Sequence, residues 1–123
     1  MKLNIAIVGL GRVGLELLEE LLKLKKNNIT VVAVAEKAET DGLALAKAEN
    51  IPVVEFEELA KMGNGLDIIF DATGVSEIRS TLRSILQETK NSHTVIASET
   101  IVYLLAMVIE DMTFHHVHDN KGY

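Results

Sequence analysis

The chain has 123 residues and a formal net charge of −6, which disfavours nucleic acid or an anionic membrane surface as a partner because phosphate groups attract basic proteins. It contains no cysteine, so disulfide bonds, thiolate metal sites and a cysteine nucleophile are excluded. No apolar run reaches the roughly 18 residues of a membrane span, and no signal peptide opens the chain, so we expect a cytoplasmic protein.

Predicted strands and helices alternate along the chain. Predicted strands cover residues 3–8, 29–35, 51–54, 66–70 and about 93–97, and predicted helices cover residues 12–26, 40–50, 55–62, 76–89 and 99–112. Pro52 has no N–H to donate, which puts the third strand near an edge of the sheet. The alternation predicts an α/β fold, a doubly wound parallel sheet of about five strands in the order 3-2-1-4-5 with helices on both faces. We assign residues 1–112 to this domain and residues 113–123 to a polar, histidine-containing tail.

The turn after the first strand carries a G-x-G-x-x-G pattern. The first glycine allows a sharp turn, the second lets a pyrophosphate approach the backbone, and the third lets the new helix lie close to the strand. The N-terminus of that helix offers N–H donors and a partial positive charge to phosphates. This pattern predicts a dinucleotide-binding turn formed by Gly9, Leu10, Gly11, Arg12, Val13 and Gly14. The Arg12 side chain either reaches the pyrophosphate or stands in water.

An acidic residue, Glu36, ends the second strand about 20 residues after the glycine turn, as the dinucleotide-binding pattern requires. Its carboxylate would accept hydrogen bonds from the adenosine ribose and repel a 2′-phosphate, which favours NAD over NADP. The alternative is that Glu36 only begins a solvated loop. The neighbouring Lys37 could help to hold a phosphate. A flavin or S-adenosylmethionine also remains possible, since both use a glycine-rich first turn.

The fourth and fifth strands end at the same edge of the sheet as the glycine turn. Ligands of such sheets bind in the crevice at this edge, so we expect Ala72, Thr73 and Gly74 to border the nicotinamide ribose. Asp71 could act as an acid or base, or could simply cap the turn. Ser98 is included among the cofactor-binding candidates, although it also suits the N-cap of the last helix.

The last predicted helix contains nine consecutive apolar residues, 101–109. A helix on the surface of a single domain needs only one apolar stripe. We therefore expect a homodimer, or docking to another protein, through residues 101–112. Beyond this helix, His115, His116 and His118 either bind a transition metal or belong to a polar tail that is rich in histidine.

Residues 3–97 resemble the NAD(P)-binding Rossmann domains of homoserine dehydrogenase, aspartate dehydrogenase and dihydrodipicolinate reductase. The matching segments are 9–14, 34–36 and 71–74. The resemblance implies that these segments grip the pyrophosphate, bind the adenosine ribose and border the nicotinamide. Those enzymes continue into a substrate domain, whereas this sequence ends a helix and a tail after the fifth strand. Homoserine dehydrogenases also carry a lysine after that strand, where this chain has Ala97-Ser98-Glu99-Thr100.

The ending is also similar to Rossmann-type sensory modules that precede signalling domains in some bacterial proteins. Three functions follow from these resemblances. The first is an NAD(H)-binding module that is regulatory or redox-sensing and is not catalytic by itself. The second is the cofactor-binding subunit of an NAD(P)-dependent dehydrogenase whose substrate half comes from another chain. The third is an interaction scaffold that has lost any activity. We favour the first, because hydride transfer needs a bound substrate and a group that takes up or gives the proton. The sequence shows the cofactor-binding part of this requirement and not the rest.

Overall fold

Strands and helices alternate from the first element to the last in the computed structural model, which describes residues 1–24 and 27–120. The strands are β1 (Leu3–Val8), β2 (Ile29–Ala35), β3 (Ile68–Asp71) and β4 (Val95–Ala97). The helices are α1 (Arg12–Lys23), α2 (Asp41–Ala48), α3 (Phe56–Ala60), α4 (Ser76–Glu88) and α5 (Glu99–Asn120), with a short 3₁₀ turn at Gly63–Gly65.

The four strands form one parallel sheet in the order β2-β1-β3-β4. Val8 at the end of β1 is level with Ala35 of β2 on one side and with Asp71 of β3 on the other. The chain therefore leaves all three strands at the same edge. This edge holds every residue of the glycine turn and the segments that follow β2 and β3.

The predicted third strand is the main difference from the expected sheet. Within residues 1–24 and 27–120, Val53 alone of this segment forms a bridge, to Val34 of β2. The described sheet therefore has four strands in the order β2-β1-β3-β4, and not the five strands of the predicted order 3-2-1-4-5. The Val34 N–H donates to the Pro52 carbonyl at 3.0 Å, and the Val54 N–H donates to the Val34 carbonyl at 2.9 Å. Pro52 has no N–H with which to extend the ladder. The segment nevertheless lies beside β2, at the edge where the sequence predicts it.

Alternate residues of the strands point to opposite faces of the sheet, and each face has its own apolar core. Ile5 and Ile7 of β1 pack in one core with side chains from α1, α2 and α5. Ala6 and Val8 pack in the other core with side chains from α3 and α4. Helices thus cover both faces, and the predicted α/β class is confirmed.

Helix α5 is longer than predicted. It begins at Glu99 and continues to Asn120, past the expected end at Met112. No glycine or proline occurs between residues 99 and 121, so no residue in this stretch breaks the helix. The side chains of the three tail histidines and all of residues 121–123 lie outside the described part of the chain. None of the helices described is long and apolar enough to cross a membrane.

At the edge of the sheet opposite to the glycine turn, Asp67 joins the start of β1 to the segment before β4. Its Oδ2 accepts a hydrogen bond from the Asn4 N–H at 2.8 Å, and its Oδ1 lies 2.6 Å from His93 Nε2. These two contacts hold the pKa of the Asp67 carboxyl below its ordinary value, the Asn4 hydrogen bond having the larger effect. His93 precedes β4, which begins at Val95 and not at residue 93.

Candidate functional site

A cavity of about 850 Å³ opens at the carboxyl edge of the sheet. It lies between the ends of β1 and β2, the segment that follows residue 53 and the turn after β3. Its walls are formed by Val8, Gly9, Gly11, Ala35, Glu36, Lys37, Val53, Val54, Glu55, Phe56, Glu58, Ala72, Thr73 and Ile78. Six of the predicted cofactor-binding residues, from three separate segments, thus meet around one cavity.

Gly9 forms the tight turn out of β1. Its backbone has φ +94°, a conformation that residues with a side chain rarely adopt. A Cβ at this position would also lie 2.9 Å from Thr73 Cγ2 and 3.0 Å from the Ala72 carbonyl carbon. The turns after β1 and β3 are therefore packed against each other, and only glycine fits between them.

Gly14 lies in the first turns of α1, directly against the glycine turn. A Cβ there would overlap the carbonyl oxygen of Gly9. The helix can approach the end of β1 this closely only because residue 14 has no side chain. The close approach points the N-terminus of α1 at the mouth of the cavity.

Gly11 has a different environment. It lines the cavity, and a Cβ built on it would meet no other atom within 4 Å. Gly11 is the N-cap of α1 with φ −74°, and no side chain in the described structure caps the helix there. The first N–H groups of α1 are therefore available to an anion that approaches over Gly11.

The other residues of the glycine turn do not place a side chain in the cavity. The Leu10 side chain is fully buried in the core, and Val13 packs against that core. The Arg12 side chain is 92% exposed and lies 3.8 Å from Glu16 Oε1, measured from Nε. Arg12 thus stands in water in this structure, which is one of the two predicted arrangements.

Glu36 is bound to the glycine turn. Its Oε1 accepts a hydrogen bond from the Leu10 N–H at 2.7 Å, and its Oε2 accepts one from the Ala38 N–H at 3.0 Å. Because each carboxylate oxygen can accept a second hydrogen bond, Glu36 could also receive the hydroxyls of a ribose. The two backbone contacts fix the carboxylate at the cavity wall. The alternative from the sequence was that Glu36 only begins a solvated loop.

Lys37, Glu55 and Glu58 also line the cavity, and the sequence interpretation missed the two glutamates. Both follow the segment that runs beside β2, so they leave the sheet at the same edge as Glu36. That position in the chain was the available signal. With Glu36, three acidic residues and one lysine line the cavity.

Asp71 stabilises the turn after β3. The residue is 1% exposed, and its Oδ1 accepts hydrogen bonds from the Thr73 N–H at 3.0 Å and the Thr73 hydroxyl at 2.6 Å. Thr73 in turn accepts a hydrogen bond from the Val75 N–H at 3.1 Å. Asp71 therefore has the position of a turn cap, and Thr73 is fixed at the cavity wall.

Gly74 and Ser98 lie outside the cavity, on the side of β3 and β4. Gly74 has φ +68°. The Ser98 carbonyl accepts hydrogen bonds from the N–H groups of Ile101 and Val102, in the first turn of α5. The cavity thus includes the predicted adenosine side of the site, and it does not extend to these two residues.

The sequence matches a known protein family over most of its length. Residues 9–112 match the family described as the NAD-binding domain of homoserine dehydrogenase. The match begins at the first glycine of the turn and ends within α5. In a comparison with curated proteins, none matches this sequence.

Among solved structures, homoserine dehydrogenase has a similar fold. Homoserine dehydrogenase from S. aureus, crystallised at pH 6.0, superposes with a TM-score of 0.54 at 17% identity, over 80% of this chain and 32% of that one. The same enzyme at pH 7.5 gives 0.51 at 16% identity over the same shares. Myo-inositol 2-dehydrogenase from Lactobacillus plantarum gives 0.49 at 17% identity, over 80% of this chain and 36% of that one. The chain spans about a third of the length of these enzymes. At such identities the likeness to homoserine dehydrogenase shows the fold alone.

Proposed function

The chain belongs to the family of homoserine dehydrogenase NAD-binding domains, and from that premise we propose that it is an NAD(H)-binding module with a regulatory or redox-sensing role, without catalysis of its own. One observation carries the NAD-binding part of the proposal. The uncapped N-terminus of α1 and the Glu36 carboxylate meet around a single cavity, through the same glycine turn.

In this proposal each part of the cofactor has a partner in the chain. The pyrophosphate lies over Gly11 and accepts hydrogen bonds from the first N–H groups of α1. The adenosine ribose donates to Glu36. The adenine enters the cavity between the apolar side chains of Val54 and Ile78. The cofactor itself supplies a nicotinamide ring that exchanges a hydride.

We propose that the cofactor is NAD and not NADP. A 2′-phosphate would lie beside the Glu36 carboxylate, with Glu55 and Glu58 on the same cavity wall. Charged hydrogen bonds from the ribose hydroxyls to this carboxylate contribute about 1.5–3 kcal/mol to the binding of NAD. Their loss with NADP corresponds to a ratio of roughly 10 to 100 between the affinities for NAD and NADP. Lys37 offsets part of the repulsion.

Replacement of Glu36 by alanine is expected to bring the dissociation constants of NAD and NADP to within about threefold of each other. Calorimetric titration of both cofactors into the unaltered protein and into Glu36→Ala measures the ratio. The ratio of the two dissociation constants is compared and not either constant alone, because loss of the hydrogen bond between the Leu10 N–H and Glu36 lowers the affinity for both cofactors alike. Glu39→Ala removes the same charge from an exposed position on the same loop and should preserve the preference. Equal affinities in the unaltered protein would refute the assignment.

A dehydrogenase subunit is the second candidate, because the matching family is named for an enzyme. In that case a second polypeptide supplies the substrate and the group that manages the proton. The two candidates differ in one assay. A binding module binds NAD without turnover. The subunit, once its partner protein is added, reduces NAD⁺ to NADH as a substrate is oxidised.

We also propose that α5 joins two copies of the chain. Its outer face exposes a stripe of large apolar side chains, Ile101, Tyr103, Leu104, Met107 and Val108, each between 42% and 65% exposed. Such a stripe can pair with its own copy across a two-fold axis. Exposed apolar side chains on neighbouring helical turns favour association.

Leu104→Glu is expected to convert a dimer into a monomer, because it places a charge in the centre of the stripe. Analytical ultracentrifugation at micromolar concentration measures the molecular mass. Lys47→Glu on α2, an exposed position on another helix, serves as the control and should leave the dimer intact. A monomer in the unaltered protein contradicts the homodimer and leaves a different protein as the partner.

A further inference from the structure

Glu99 covers the turn after β3 from the side opposite to the cavity. It is in the first turn of α5, directly after the carboxyl end of β4. A Cβ built on Gly74 would lie 2.5 Å from Glu99 Oε2 and 3.7 Å from Oε1. The carboxylate therefore lies against the backbone of Gly74, and the absence of a side chain at residue 74 makes room for it.

Tyr103 lies one helical turn further along α5 from Glu99. Hydrogen bonding to Glu99, together with the negative charge of Glu99, raises the pKa of the Tyr103 phenol above its ordinary value. The contact with Gly74 places the Glu99 carboxylate at the carboxyl edge of the sheet.

The sheet order determines which half of a dinucleotide meets this charge. Glu36 follows β2, on one side of β1 in the sheet. Gly74 follows β3 and Glu99 follows β4, both on the other side of β1. Since β1 and the N-terminus of α1 lie between the two groups, a dinucleotide whose pyrophosphate rests on α1 extends to both sides. With the adenosine in the cavity beside Glu36, the nicotinamide half passes over Thr73 and Gly74 toward Glu99.

We propose that Glu99 makes this site prefer NAD⁺ over NADH. The inference rests on the proposed NAD-binding function and adds the redox state that the site distinguishes. The oxidised nicotinamide ring carries a positive charge, and the reduced ring is neutral because the hydride has added to it. A carboxylate beside the ring attracts only the oxidised form. A module with this preference changes its occupancy when the ratio of NAD⁺ to NADH changes.

The expected discrimination is that of one partly exposed ion pair. Glu99 is half-buried, and such a pair corresponds to an affinity ratio of about fivefold. The chain as a whole is acidic, with a net charge of −6, so the more negative NADH is also disfavoured from a distance. This general effect is screened by salt, and a control substitution at a distant acidic residue separates it from the local effect.

The test compares the dissociation constants of NAD⁺, NADH and ADP-ribose for the unaltered protein, Glu99→Gln and Glu49→Gln. Glu49 follows α2 and is exposed, so its replacement removes the same charge away from the turn. We expect NAD⁺ to bind about fivefold more tightly than NADH to the unaltered protein and to Glu49→Gln. In Glu99→Gln the ratio should fall toward one, through weaker binding of NAD⁺, and only the salt-screened effect of the net charge should remain. ADP-ribose has no nicotinamide, so its affinity should be the same in all three proteins.

The possible failures have different meanings. Equal affinities for NAD⁺ and NADH in the unaltered protein, or a ratio that Glu99→Gln leaves unchanged, would overturn the role of Glu99. Weaker ADP-ribose binding to Glu99→Gln would show that Glu99 only supports the structure of the turn, and this too would overturn the proposal. If the unaltered protein binds neither nucleotide nor ADP-ribose, the proposed NAD-binding function itself fails.

Discussion

Replacement of Gly14 by alanine is expected to lower the free energy of unfolding by about 3 kcal/mol, the upper end of the usual range for overpacking. The new methyl group would overlap the carbonyl oxygen of Gly9. That oxygen belongs to a backbone turn packed on Ala72 and Thr73, so it has no free direction in which to move. To relieve the overlap, α1 must move away from β1 and lose contacts of its buried leucines with the core.

Chemical denaturation monitored by circular dichroism measures this loss. Gly11→Ala is the matched control, since the same methyl group on Gly11 meets no atom within 4 Å. The control should cost about 1 kcal/mol or less, the usual difference between glycine and alanine at an N-cap. Equal stabilities of the two variants would show that α1 is not as close to the turn as described.

Gly11→Val is expected to reduce the affinity for NAD by about a hundredfold, equivalent to two lost charged hydrogen bonds, and to leave the protein folded. The branched side chain would project into the cavity over the N-terminus of α1. It would keep a pyrophosphate away from the N–H groups. The backbone of Gly11, with φ −74° and ψ −154°, is extended and acceptable to valine.

The fold and the affinity are measured separately for this variant. Its circular dichroism spectrum should match that of the unaltered protein, with a stability within about 1 kcal/mol. The increase in melting temperature that saturating NAD gives to the unaltered protein should disappear. If Gly11→Val keeps that increase, the phosphates do not bind over Gly11.

The sequence allowed most of the fold to be predicted, because its signals are local. The strand before Gly9, the helix after Gly11 and the acidic residue at the end of β2 each depend on neighbouring residues. Parallel strands with intervening helices then have few possible arrangements. The edge position of the segment around Pro52 followed from its missing N–H, although the segment forms only a bridge.

The parts that escaped prediction depend on contacts between distant residues. The hydrogen bond from Leu10 to Glu36 joins residues 26 positions apart. Glu55 and Glu58 are in the cavity because their segment packs beside β2, and Glu99 meets Gly74 because β4 pairs with β3. The contacts of Glu36 and Glu99 have no local pattern in the sequence, and Glu55 and Glu58 could be placed only through the predicted neighbour of the segment that they follow. The length of α5 was underestimated because polar residues follow its apolar stretch, and a change in polarity does not end a helix.

Both the proposed function and the proposed role of Glu99 require that the cavity at the glycine turn binds NAD. Calorimetric titration of NAD into the unaltered protein and into Gly11→Val measures this binding. The proposed site predicts saturable binding of one NAD per chain to the unaltered protein and little or no binding to the variant. Absence of binding to the unaltered protein, or equal binding to both proteins, would contradict it.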